Sequence, residues 1–412
     1  MIPKDYRSLL SEINELQPNA AESDFEFGIL SNVVIHPFED ILRHFFLSKN
    51  INPSVRSGNF DNIVQDAASF SRAKIVFIFW ELMGVLENVD EYQKGIDESS
   101  LIETIKTEIS LFFDQIGPDC FVIFNYFSAI SLSPRAILST KEEMIEKELN
   151  IYLSTIQNRN LFLVNIDKII SLLGIDAAID YRMFRIAKAP YKYIFLSNYL
   201  SRVAPIVNTV LGNKKKVLVA DCDNTLWKGV IGEDGVNGVS IFSGVQRKIV
   251  SLVENGVLLC LSSKNNPEDV EEVLEKNKDM VLTNEHILLK KVSWQDKASS
   301  LRELSEELNL GLDSFVFIDD SDFEINLVKS QLPQVDCFQV PKSDYAYEQM
   351  IDEIANMFVN LSSTKEDKER TSLYKMDLES KKAIDSFENI EDFLRSLDLQ
   401  LKIFINEGSH IE

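Results

Sequence analysis

The stretch KVLVADCDNTLWKGVIGEDG, residues 216–235, decides how the whole chain is read. An apolar strand, Val217 to Ala220, runs straight into two acids spaced one apart, Asp221 and Asp223. Asn224, Thr225 and a glycine-rich turn follow. A strand end that collects negative charge is electrostatically costly, so a positive group belongs beside it. Side chains two apart on a strand share a side, which puts Asp221 and Asp223 together and turns Cys222 away as a small buried hydrophobe.

Working outward, the same segment opens an alternating series of strands and helices, the pattern of a parallel sheet with crossover helices. Its strands are expected at Val217 to Ala220, Val257 to Leu261, a weaker run near Met280 to Leu282, Ser314 to Ile318, and Val335 to Val340. Helices are expected at Gln246 to Glu254, Pro267 to Lys276, Trp294 to Leu308 and Phe323 to Ser330. Ligands of open α/β sheets bind at the C-terminal strand ends. There the second strand delivers Ser262, Ser263 and Asn265, and the fourth delivers Asp319 and Asp320. Ser293-Trp294-Gln295-Asp296 has the form of a capping box, predicted to start a helix and place Lys297 in its first turn. Four segments thus converge on one rim.

These residues resemble the motifs of the haloacid dehalogenase (HAD) superfamily of phosphatases and phosphotransferases: D-x-D-x-T, a Ser or Thr after the second strand, a Lys, and a terminal acid pair. DCDNTLWKGVIGEDG, LSSKNNPEDV and VSWQDKASSLRELSEELNLGLDSFVFIDDSDFE look like the FkbH group of carrier-protein loading enzymes. The HAD resemblance covers about residues 214–342, and the FkbH likeness most of the chain. It implies that Asp221 attacks a phosphoryl group and that Asp223 acts as general acid and base. Mg2+ would be held by Asp221, the main-chain carbonyl of Asp223, and Asp320, with Asp319 second. Lys297 would relieve the carboxylate repulsion, Ser263 (Ser262 as runner-up) would bind a phosphoryl oxygen, and Thr225 would orient the turn or help position the nucleophile. FkbH proteins deliver a glyceryl unit from a phosphorylated three-carbon acid to an acyl carrier protein. The competing reading is a catalytically silent adaptor.

Cap domains of HAD enzymes are inserted after the first or second motif. Neither the Thr225 to Ser263 interval nor the Ser263 to Lys297 interval can hold a separate domain of about 50 residues besides its required helix and strand. Only a small flap, Trp227 to Gly244, fits.

The first half carries a second alternating series, with strands expected at Phe25 to Leu30, Lys74 to Trp80, Cys120 to Phe124 and Leu161 to Val164. Helices are expected at Pro37 to Phe46 and Leu101 to Gln115. It looks like the SGNH-hydrolase-like domain that precedes the HAD domain in FkbH proteins, with Ser31, in GILSN, at the nucleophile position. That chemistry needs a late histidine base, yet His36 and His44 are the only histidines before residue 286. This half is therefore expected to be noncatalytic, covering the HAD site or recruiting a partner.

The fold class expected is α/β: two Rossmann-like, three-layer domains with parallel sheets, plus a helical C-terminal extension. The boundaries are 1–212, 213–345 and 346–412, the first junction falling where Leu211-Gly212-Asn213 and three lysines end a helix-like run. Residues 345–387 read as helical, and Leu399, Leu401, Ile403 and Ile405 alternate like a strand without a neighbour, as expected of a chain cut from a longer protein.

Composition sets the outer limits. A hydrophobic content of 45% with 26% charged residues fits globular folding. The net charge of -23 argues against nucleic acid, which is bound by clustered Lys and Arg. An acidic carrier protein would need a local positive surface, around Lys214 to Lys216 or Lys290-Lys291. No apolar stretch reaches the ~18 residues of a membrane span, and the N-terminus lacks a signal-peptide core. Cys120, Cys222, Cys260 and Cys337 form no C-x-x-C pair and read as reduced thiols of a cytoplasmic protein.

Overall fold

The computed structural model describes residues 2–16, 23–49, 51–88, 97–132, 140–157, 160–359 and 373–376. The chain divides into two compact units at Leu211/Gly212. There the helix Tyr193–Val210 ends, and Gly212 takes a positive φ of 93°, open to glycine without strain. The expected C-terminal strand and most of the expected helical run after residue 359 lie outside the described residues.

In the first unit the strands are β1 (Phe25–Ser31), β2 (Pro53–Ser57), β3 (Ile75–Phe79), β4 (Phe121–Asn125) and β5 (Leu161–Val164). All pair in parallel, in the order β2-β1-β3-β4-β5. Alternate residues of β3 serve opposite faces. Val76 and Ile78 join a core with Ile105, Phe112 and Leu149 from the helices Glu98–Gln115 and Lys141–Thr155. On the other face Phe77 and Phe79 meet Phe38 edge-on, with ring centroids 5.2 Å apart in both pairs. Phe79 also meets Tyr199 at 4.9 Å. Strands buried on both sides explain the continuous apolar runs in the sequence.

The second unit contains β6 (Val217–Ala220), β7 (Trp227–Lys228), β8 (Ser240–Ile241), β9 (Leu258–Ser263), β10 (Ile287–Val292), β11 (Phe315–Asp319) and β12 (Asp336–Gln339). Its five-stranded parallel sheet has the order β10-β9-β6-β11-β12, and β7 and β8 make a separate antiparallel hairpin. One face packs on the helices Ser243–Glu254, Pro267–Lys276 and Asp344–Ala355. The other packs on Lys297–Leu308 and Asp322–Gln331. Both units are thus Rossmann-like, with helices on both faces of a parallel sheet.

Three local expectations need correction. The edge strand is Ile287–Val292 rather than a run near Met280 to Leu282. Residues 278–284 form turn and coil there, and the backbone N–H groups of Val281 and Leu282 are satisfied by the buried Gln246 Oε1, each at 3.0 Å. The helix after β10 begins at Lys297 with Asp296 as its cap, accepting from Ser299 N at 2.9 Å, whereas Ser293 Oγ accepts only from Gln295 N, at 3.4 Å, in the preceding turn. The first sheet also gains β2, an edge strand whose sequence PSVRS opens on a proline, holds a single β-branched residue, Val55, and gives almost no strand signal. No helix among the described residues is long and apolar enough to cross a membrane.

Candidate active site

In the order β10-β9-β6-β11-β12 the chain leaves β6 toward β9 on one side and later returns to β11 on the other. The crevice between the C-terminal ends of β6 and β11 is therefore the topological switch point, where open α/β sheets bind ligands. Asp221 follows β6, and Asp319 and Asp320 lie at the end of β11. One carboxylate oxygen from each of these three residues lies within 4.8 Å of the others.

Lys297 answers part of the charge. It is 3% exposed, and its Nζ donates to Asp221 Oδ1 at 2.6 Å and to the carbonyl of Ser262 at 2.5 Å. It also lies 3.1 Å from Asp319 Oδ2. Burial alone would lower the ammonium pKa, but Asp221 and Asp319 hold it above its ordinary value. Burial pushes Asp319 up to about 6, with Lys297 opposing the rise and Asp221 adding to it. Asp320 is raised by burial and by Asp221. One lysine is shared by three crowded carboxylates, and the repulsion is only partly relieved.

Hydrogen bonding shows the same shortfall. Asp319 Oδ2, although close to Lys297, has no hydrogen bond of good geometry, and the buried hydroxyls of Thr225 and Ser262 also have no partner. A buried acceptor left without a donor costs on the order of 1–3 kcal/mol, more when charged. Three hard oxygen donors converging on one point, one of them orphaned, fit Mg2+.

Asp223 is fixed from several directions. Its Oδ1 accepts from Trp227 Nε1 at 2.8 Å and Ile231 N at 3.1 Å, and its Oδ2 accepts from Asn265 Nδ2 at 3.0 Å. Two of these donors, Trp227 and Ile231, belong to the small flap after β6. The flap turns tightly at Gly229, whose φ of 108° and 2.7 Å clearance from Asp234 leave no room for a side chain. Asn265 also donates to Ser263 Oγ at 3.1 Å. Thr225 holds the turn through its carbonyl, which accepts from Tyr347 Oη at 2.9 Å. Cys222 lies in the core, where burial pushes its thiol well above its ordinary value.

Asp221, Asp223, Ser263, Lys297, Asp319 and Asp320 all line one cavity of about 190 Å³. Asn265, Lys264, Ser321 and Glu324 complete the wall. The sequence thus brings every nominated site residue to one place, except that Ser262 contributes only its carbonyl to Lys297. Sequence reasoning missed Lys264 and Glu324. Lys264 stood next to Ser263, but Glu324 looked like one of many surface charges on a helix. Three of the five lysines expected to form a positive surface are locally neutralised: Lys215 pairs with Asp336 at 2.7 Å, Lys290 with Glu271 at 2.5 Å, and Lys291 with Glu303 at 2.9 Å.

The first unit places Ser31 at its own switch point, between β1 and β3, but ties it to the backbone. Ser31 Oγ donates to the carbonyl of Val33 at 2.6 Å and accepts from Val33 N at 3.0 Å. His36 is exposed, and His44 is buried against Glu12 at 2.8 Å. Neither histidine has a hydrogen bond to Ser31 in the structure.

No protein-family profile matches the chain, and no curated protein matches it. Among solved structures, the N-terminal part of a Bacteroides fragilis protein containing a phosphatase domain, complexed with Mg, is 22% identical. It superposes with a TM-score of 0.76, covering 87% of this chain and 100% of that one, so the two share a fold. A 3-deoxy-D-manno-octulosonate 8-phosphate phosphatase from Moraxella catarrhalis is 14% identical and covers 40% of this chain and 98% of its own, with a TM-score of only 0.26.

Proposed function

We propose that this chain is a magnesium-dependent phosphatase or phosphotransferase of HAD type that works through an aspartyl-phosphate. The observation that carries the reading is the crowding of Asp221, Asp319 and Asp320 round the single ammonium of Lys297, at the switch point of the sheet. Such a cluster is costly as pure structure and useful as a cation and phosphate site.

Asp221 carries out the displacement: one of its carboxylate oxygens bonds to phosphorus as the P–O bond to the leaving group breaks. Asp223, in its protonated form, gives its proton to the departing oxygen. It then takes a proton from the incoming water or alcohol, which attacks phosphorus and frees the Asp221 carboxylate. Trp227, Ile231 and Asn265 hold Asp223 in place for both steps. Ser263 Oγ donates to a phosphoryl oxygen, and Lys297 both neutralises that group and keeps Asp221 aimed. Asp221, Asp320 or Asp319, and the main-chain carbonyl of Asp223 would hold Mg2+, which supplies positive charge to the transferring phosphoryl group.

The FkbH resemblance narrows the substrate to a phosphorylated three-carbon acid and the acceptor to an acyl carrier protein, in the cytoplasm. A cavity of about 190 Å³ without an inserted cap domain suits a small phosphorylated group presented on a larger carrier. The first unit, SGNH-like with Ser31 engaged by its own backbone, serves as a noncatalytic domain.

Incubation with radiolabelled phosphorylated glycerate, Mg2+ and a carrier protein tests the reading: phosphate release together with labelled carrier is expected. Release without carrier labelling would leave a simple phosphatase. Failure to release phosphate from any phosphoester, with no rise of melting temperature on adding Mg2+, would leave a silent adaptor.

A further inference from the structure

The cavity wall contains five carboxylates and two ammonium groups. Lys297 is committed to the phosphate end of the cavity: its Nζ donates to Asp221 and to the carbonyl of Ser262 and lies 3.1 Å from Asp319. Lys264 differs. Its side chain is 35% exposed, and its Nζ donates to Glu324 Oε1 at 2.6 Å, which leaves N–H donors over for a ligand.

Glu324 is also unusual. It sits in the first turn of the helix Asp322–Gln331, is 6% exposed, and lines the cavity, yet its buried Oε2 has no hydrogen-bond partner. A purely structural lysine–glutamate pair would satisfy both oxygens or stay in solvent. This one is half closed, with the ammonium held at the cavity wall by a buried carboxylate.

We propose that Lys264 is a specificity-determining residue that binds a second anionic group of the substrate, and that Glu324 is the positioning residue that holds its ammonium in place. The substrate class is a phosphomonoester with a carboxylate close to the phosphate. Such a group entering a cavity of five carboxylates is repelled unless it meets a cation beyond those that take the phosphate, and Lys264 is the other ammonium of the wall. This rests on the phosphate-site reading above but adds a residue that the reading does not use.

Equilibrium binding separates the two claims. Phosphonoacetate, which carries a carboxylate, and ethylphosphonate, of similar size without one, are titrated calorimetrically into the full chain at saturating Mg2+. The wild type is expected to favour phosphonoacetate at least tenfold, Lys264→Met to lose that preference, and Lys264→Arg to keep most of it. Equal affinity of the wild type for both probes, binding of neither, or a preference that survives Lys264→Met would overturn the assignment. A preference that depends on Lys264 in a protein that hydrolyses no phosphomonoester would defeat the phosphatase reading and leave this one standing.

Discussion

The two units are built on the same plan and finish their switch points in opposite ways. Each has a five-stranded parallel sheet, and each gathers buried polar side chains where the strand order reverses. In the first unit the groups satisfy one another. Asn32 bridges to Glu81 through its Nδ2 (2.9 Å to the carbonyl) and its Oδ1 (2.7 Å from the N–H), Asn125 donates to Glu81 Oε1 at 3.3 Å, and Tyr199 donates to Asn125 at 2.8 Å. Ser31 is closed onto Val33. In the second unit the carboxylates outnumber their donors, and Thr225, Ser262, Asp319 and Glu324 all keep a buried atom without a partner. Among the described residues the first unit has one such atom, His44 Nδ1. A polar cluster that completes its own hydrogen bonds is structure. A cluster that leaves them open is shaped for something that binds.

The largest expected break in that comparison is Asp221→Asn. Phosphate release should fall by about 10³-fold or more, with unchanged near-ultraviolet circular dichroism. An activity loss of less than tenfold would show that the nucleophile lies elsewhere.

Lys297→Met comes next. It leaves Asp221 and Asp319 facing each other in the interior, and urea denaturation should show a loss of about 3–5 kcal/mol. Saturating Mg2+ should recover part of that loss, because the dication takes over the missing charge. Equal destabilisation with and without the ion would mean that the carboxylates do not share a cation.

Glu81 tests the first unit. Burial raises its carboxyl from 4.5 to about 7, against the hydrogen bonds from Tyr191 and Asn125. The folded protein therefore holds this proton more tightly than the unfolded chain. The group costs nothing below pH 4.5, costs increasingly as pH rises, and reaches its full penalty above about 7. At about 1.4 kcal/mol per pKa unit, Glu81→Gln should gain up to about 3 kcal/mol relative to wild type between those limits, measured by urea denaturation at several pH values. Phosphate release per folded molecule should not change. A constant difference at all pH values would show that Glu81 titrates in the fold as it does in the unfolded chain.

The smallest effect belongs to Ser31→Ala. Removing a hydroxyl that serves Val33 should cost about 1 kcal/mol and leave phosphate release intact. Loss of ester hydrolysis in this variant would make the first unit an enzyme after all.

Much of the candidate site was legible because its residues sit at ends of strongly apolar runs. Val217–Ala220 could hardly be anything but a buried strand, and that fixed Asp221 at its end. The same holds for Ser263 and Asp319, the last residues of β9 and β11. The reading failed where burial is one-sided. In β10, ILLKKV, the two lysines are covered by salt bridges to the neighbouring helices, and their charge hid a strand. In β2 the apolar residues are Val55 and Pro53, a residue that strands avoid.

What the chain determined by itself was the local order: which segments are apolar enough to be buried from both sides, and which acids, serines and lysines follow them. Periodicity and strand ends act over a few residues, so they can be read in one dimension. Tertiary structure alone decided the pairings. Lys297 meets Asp221 across 76 positions and Lys264 meets Glu324 across 60, and no spacing rule singles out these lysines from the others. Only the folded sheet, by placing β6, β9 and β11 side by side, determines which charges share one cavity and which lie apart on the surface.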